Sequence, residues 1–123
     1  MKSYIADTYA WMAYFQENKA YQKIIDGQEN QFKTPAIVFA ELARIFYKKG
    51  IAEKEAKELL DFVRDRSVVV ALDYQECVKA GETAWREQIP LADAMIYAFA
   101  SKDEPLLTGD DHFKGKPNVE FIK

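Results

Sequence analysis

The sequence predicts an α/β sandwich, with helices packed around a parallel sheet, and three observations carry that prediction. Short β-like runs alternate with helical stretches along the chain, as repeated strand–helix–strand crossovers require. The run SVVVAL, residues 67–72, is β-branched and bounded by Ser67 and Asp73, which reads as a buried strand. No internal repeat, low-complexity segment or long linker divides the chain, so residues 1–123 read as one domain.

The first strand is SYIA (3–6), ending at Asp7. TYAWMAYFQENKAYQKIIDG (8–27) reads as one or two helices stopped at Gly27. QFKT (31–34) is a short second strand halted by Pro35. AIVFAELARIFYKKG (36–50) is a helix closed by Gly50, with Lys48 and Lys49 in the last turn, where the helix dipole favours cations. IAEKEAKELLDFVRDR (51–66) is amphipathic, and its i,i+4 pairs Glu53–Lys57 and Lys54–Glu58 mark a solvated face. SVVVAL supplies the third strand. DYQECVKAGETAWREQ (73–88) is helical with an interruption at Gly81, and Pro90 opens the apolar helix LADAMIYAFASKD (91–103). PLLTG (105–109) is a fourth strand, DDHFKG (110–115) a short turn or helix, and NVEFI (118–122) the last strand.

Bulk properties narrow the function. A chain with 49% hydrophobic and 30% charged residues has enough apolar matter for a core and is not disordered. No apolar run approaches the ~18–20 residues that cross a bilayer. The N-terminus MKSYIADTYAW meets an acid after one short apolar step, so it is not read as a signal peptide. Cys77 is alone, which excludes an internal disulfide, fits a cytoplasmic setting and leaves a structural thiol. The net charge of −3 excludes nucleic-acid binding by bulk positive charge; such a role needs a local basic patch or bound cations.

Most acids fall in mixed-charge helical faces, but Asp7, Glu41, Asp93 and Asp110 do not. Asp7 and Asp110 follow apolar strands, YIAD and LLTGD, and ligands of parallel α/β sheets bind at the carboxyl ends of strands. Glu41 and Asp93 lie in the first halves of two apolar helices, the end nearest that edge in a right-handed crossover. Each has an ordinary reading as well. Asp7 and Asp110 can cap helices, Asp93 can complement a helix dipole, and Glu41 can pair with Arg44 at i+3. Four carboxylates at one mouth repel one another unless a cation offsets them, and oxygen donors select hard ions such as Mg²⁺ or Mn²⁺. The lone His112 and lone Cys77 make no typical zinc site, and His112 reads as a local packing and capping residue.

The stretches YIADT, TPAIVFAELAR, PLADAMIYAFA and LLTGDDHF, in that order and spacing, resemble the PIN domain. More narrowly, they resemble the VapC-like ribonuclease toxins of prokaryotic toxin–antitoxin modules. The resemblance implies a three-layer α/β/α sandwich with a five-stranded parallel sheet in order 3-2-1-4-5. It implies an Mg²⁺- or Mn²⁺-dependent endoribonuclease, a homodimer inhibited by a cognate antitoxin, leaving 5′-phosphate and 3′-hydroxyl ends on the RNA. Carried over, Asp7, Glu41, Asp93 and Asp110 become the catalytic and metal-binding acids, with Thr108 and Thr8 orienting them from behind. Arg44, Lys48 and Lys49, beyond Glu41 on its helix, are candidate phosphate contacts.

Two positions depart from the family pattern. Tyr9 stands where many relatives place a small polar residue, and Asp111 adds an acid beside Asp110 that competes with it as a ligand. The aromatic stretch Tyr9, Trp11, Met12, Tyr14 and Phe15 suits core packing, or else a dimer or antitoxin surface. Two other functions remain open at this level. One is a metal-dependent phosphatase or receiver-like domain, against which stands the absence of D-x-D after the first strand. The other is a PIN-like module that binds RNA or protein without cutting.

Overall fold

The computed structural model describes residues 2–123. Five short strands form one parallel sheet: β1 (Ser3–Ala6), β2 (Gln31–Pro35), β3 (Val68–Val70), β4 (Leu106–Thr108) and β5 (Val119–Phe121). Their order across the sheet is β3-β2-β1-β4-β5, the order implied by the PIN-domain resemblance. The chain leaves β1 through α1 (Thr8–Phe15) and α2 (Lys19–Asp26) to reach β2, then through α3 (Ala36–Lys48) and α4 (Glu53–Arg66) to reach β3. It then crosses back through α5 (Tyr74–Glu87) and α6 (Leu91–Tyr97) to lay β4 on the other side of β1. The direction of winding therefore reverses between β1 and β4, and a crevice opens at their carboxyl ends.

The core is densest around that reversal. Tyr4, Ile5 and Ala6 of β1 and Leu106, Leu107 and Thr108 of β4 are all buried. Trp11, Tyr21, Phe46 and Phe113 are the largest side chains enclosed against them. The aromatic stretch after β1 thus serves packing: Trp11 is fully buried, and Tyr9, Met12, Tyr14 and Phe15 pack against the core. The Trp11 indole donates to Thr34 (3.2 Å), whose hydroxyl donates to Ser67 (2.9 Å), which donates to the Val63 carbonyl (2.6 Å). One polar thread so ties α1 to β2 and to the end of α4 with no hydroxyl left unpaired. Arg66 completes the join. Its guanidinium donates to the carbonyls of Ile25 and Gly27, which the end of α2 leaves without helical partners, and lies 4.7 Å from the Phe32 ring centre.

The stretch 8–27 is two helices, one of the two arrangements its sequence allowed, parted where Glu17 takes φ 64° and the Asn18 side chain caps α2. Other local expectations need correction. Gly81 does not interrupt α5, which is continuous through it. The helix after Pro90 ends at Tyr97, well short of residue 103. SVVVAL is not buried: β3 is an edge strand, with Val68 61% and Val69 46% exposed. Its β-branched run reports how well it fits a ladder, not whether anything covers it. Cys77 is likewise exposed on α5, so its thiol is not part of the packing.

Gly109, between β4 and Asp110, is the one glycine whose missing side chain is needed for space. A Cβ there would lie 2.3 Å from the Ile122 carbonyl oxygen and 2.4 Å from the Tyr9 ring. Tyr9, the departure from the family pattern, therefore packs on bare backbone. Gly109→Ala is expected to cost about 2 kcal/mol or more in denaturant unfolding. Adding Tyr9→Ala should recover only part of that loss, because the carbonyl oxygen of Ile122 remains in the way.

Candidate functional site

Asp7 leaves β1 at the crevice and is only 3% exposed. One of its oxygens accepts from the Ala10 amide at 2.9 Å, capping α1, and the other accepts from the Thr108 hydroxyl. Thr108 in turn accepts from the Asp110 amide at 3.0 Å. The ends of β1 and β4 are thus bridged by an aspartate, a hydroxyl and a backbone amide. Burial pushes the Asp7 carboxyl up from 3.8 to about 7. The Thr108 and Ala10 hydrogen bonds oppose that rise, and the charges of Asp110 and Asp93 add to it.

Glu41 projects from α3 and accepts from the Thr8 hydroxyl at 2.6 Å. Its partner is Thr8, and among the described residues no ion pair joins it to Arg44. Asp93, in the first turn of α6, is partly buried, and its Oδ2 atom is enclosed without a hydrogen bond. Burial raises its pKa first, then the charges of Asp110 and Glu41, while His112 lowers it. Asp110 accepts from the His112 amide at 3.0 Å and opens a short 3-10 turn, Asp111–Phe113. Asp7, Glu41, Asp93 and Asp110 line one cleft of about 290 Å³, together with Thr8, Tyr9 and the apolar Met12, Ile45 and Ile96.

The remaining candidates lie elsewhere. Asp111 turns outward to Lys123 at 3.0 Å, which holds its carboxyl below the usual range, and it does not line the cleft. Arg44 and Lys48 are exposed on α3, outside the cleft wall. His112 is the residue that the sequence reading undervalued. Its amide does donate to the capping Asp110 side chain and Phe113 does pack, but its imidazole Nδ1 lies 2.6 Å from Asp93 Oδ2 and 3.3 Å from Asp110 Oδ1. The signal was its place two residues after Asp110, inside a turn which that aspartate caps.

These residues fit a divalent cation. The buried Oδ2 of Asp93 meets only the His112 imidazole among the described residues, and burial, with neighbouring like charges adding to it, raises the Asp7 and Asp93 carboxyls; one ion would offset those costs. Among the described residues no helix is long and apolar enough to cross a membrane.

The sequence model of one family, the PIN domain, matches residues 4–118. Among solved structures the chain is similar to VapBC2 from Rickettsia felis bound to a promoter DNA fragment. The two share 20% identity with a TM-score of 0.73, over 98% of this chain and 97% of that one. A toxin–antitoxin complex from Klebsiella pneumoniae is 17% identical with a TM-score of 0.72, over 94% of each chain. VapBC-1 from nontypeable Haemophilus influenzae is 20% identical with a TM-score of 0.69, over 98% of this chain and 97% of that one. At such identities the likeness is one of fold. No curated protein matches the chain by sequence.

The raised Asp7 value has a measurable consequence for the metal-free protein. The folded state holds that proton more tightly than the unfolded chain, so stability falls as pH rises from near 3.8 through about 7. Above that the penalty is complete. Asp7→Asn should raise the melting temperature of metal-free protein by about 5 °C at pH 8. By pH 4 the gain should vanish, and a gain independent of pH would contradict the burial account.

Proposed function

The chain belongs to the PIN-domain family, and from that premise we propose that it is a metal-dependent endoribonuclease, the toxin of a VapBC-type toxin–antitoxin pair. One observation carries the reading: four acids from four separate elements line one cleft, and the buried Oδ2 of Asp93 meets only the His112 imidazole among the described residues. Asp7, Asp93 and Asp110 would hold Mg²⁺ or Mn²⁺, with Glu41 as a further ligand or as the group that positions a water. A divalent ion so placed lowers the pKa of water and offsets the charge of a phosphodiester.

The chain's own residues then have separable tasks. Thr108 fixes the angle of the Asp7 carboxyl and the backbone of Asp110 through one hydroxyl. Thr8 occupies one oxygen of Glu41 and leaves the other for the attacking water. Met12, Ile45 and Ile96 give the acids an apolar wall, which strengthens electrostatic interactions inside the cleft. Arg44 and Lys48, three and seven residues beyond Glu41, share its side of α3 and reach RNA phosphates outside the cleft.

An antitoxin partner is supported by the likeness to toxin–antitoxin complexes. A homodimer is supported by a separate feature. Tyr74, Val78 and Trp85, at i, i+4 and i+11, form one stripe along α5, and the two aromatics are 81% and 80% exposed. A second copy would cover that stripe.

Asp93→Asn and Glu41→Gln should each lower RNA cleavage about 100-fold or more while circular dichroism stays unchanged, and exhaustive chelation should abolish wild-type cleavage. Undiminished cleavage in both variants would sink the nuclease assignment. Metal binding without any cleavage would leave a binding module. In sedimentation experiments the wild-type protein should run as a dimer and Trp85→Glu as a folded monomer; a monomeric wild type would remove the dimer.

A further inference from the structure

We propose that the His112 imidazole is itself a ligand of the metal centre and tilts its preference from Mg²⁺ toward Mn²⁺; this rests on the metal-centre reading above. One ring nitrogen of His112 and one oxygen from each of Asp93 and Asp110 lie within 4.8 Å of one another. Nδ1 is 2.6 Å from Asp93 Oδ2 and 3.3 Å from Asp110 Oδ1. Neighbouring ligands of an octahedral ion with bonds of ~2.1 Å stand about 3.0 Å apart. The two nitrogen–oxygen separations straddle that value, so the imidazole stands at ligand spacing from both carboxylates.

His112 Nδ1 approaches an oxygen, Asp93 Oδ2, that is enclosed from solvent and has no other polar partner among the described residues. The imidazole is also placed by the site, not by chance. Asp110 caps the turn that carries His112, so the backbone that orients one ligand orients the other. Imidazole nitrogen is softer than carboxylate oxygen, and Mn²⁺, a larger and more polarisable ion than Mg²⁺, gains more from it.

The competing account makes His112 a counterion to the carboxylates, expelled when the metal enters. The two accounts differ in what binding does to the nitrogen. Because the chain has one histidine, imidazole coupling in tag-free protein reports His112 alone. Pulsed electron paramagnetic resonance of Mn²⁺ titrated into metal-free wild-type protein should show ¹⁴N coupling, and His112→Ala should abolish it. Calorimetry should show Mn²⁺ affinity falling about tenfold in His112→Ala, with Mg²⁺ affinity changed far less. Bound Mn²⁺ without nitrogen coupling, or equal or tighter binding of both ions in His112→Ala, would overturn this inference and leave the centre intact. Failure of wild-type protein to bind either ion would overturn the centre as well.

Discussion

The Asp7–Thr108 hydrogen bond is the contact on which the rest of the site depends. It joins the carboxyl ends of β1 and β4, the two strands between which the sheet reverses its winding. A buried carboxyl at that point is costly, and the fold meets the cost with a hydroxyl, a helix amide and a pKa raised to about 7. Since Thr108 also receives the Asp110 amide, the position of the second aspartate follows from the first. Only a short, small-residue link fits there. Gly109 supplies it, with Tyr9 closing the space above.

The helices bring the other two acids to the same place by ordinary packing. α3 buries Val38, Leu42 and Phe46, so Glu41 is turned toward the cleft and meets Thr8 at the start of α1. α6 buries Ala94 and Ile96, which aims Asp93 into the same space. The apolar residues that surround Glu41 in AIVFAELARIF are therefore what fixes its carboxylate. A pairing with Arg44 would have pulled it outward to solvent instead.

What was legible in the sequence followed from rules about strand ends. Asp7 and Asp110 stood out because each stands at the carboxyl end of an apolar strand, and Glu41 and Asp93 because each interrupts an apolar helical face. Side-chain surroundings were less legible. SVVVAL carries the signature of a strand, but pairing propensity is silent about which strand of the sheet lies outermost. The break between α1 and α2 depends on Glu17 adopting a left-handed backbone, which no glycine or proline announces. His112 was hidden for a different reason. A lone histidine is seldom a ligand, and its closeness to Asp93 is created by the folding of α6 against a turn nearly twenty residues later.

The outermost strand also shapes how this sheet meets other chains. β3 is only three residues long, and its far side offers few amides and carbonyls in a row. Recruitment of a foreign strand needs a longer ladder than that, so the edge is a poor template for extending the sheet. Yet Val68 and Val69 make it greasy. Whatever covers it gains from shape and side-chain fit far more than from backbone pairing. Such an edge selects its neighbours by contour and resists the indiscriminate stacking that longer bare strands invite.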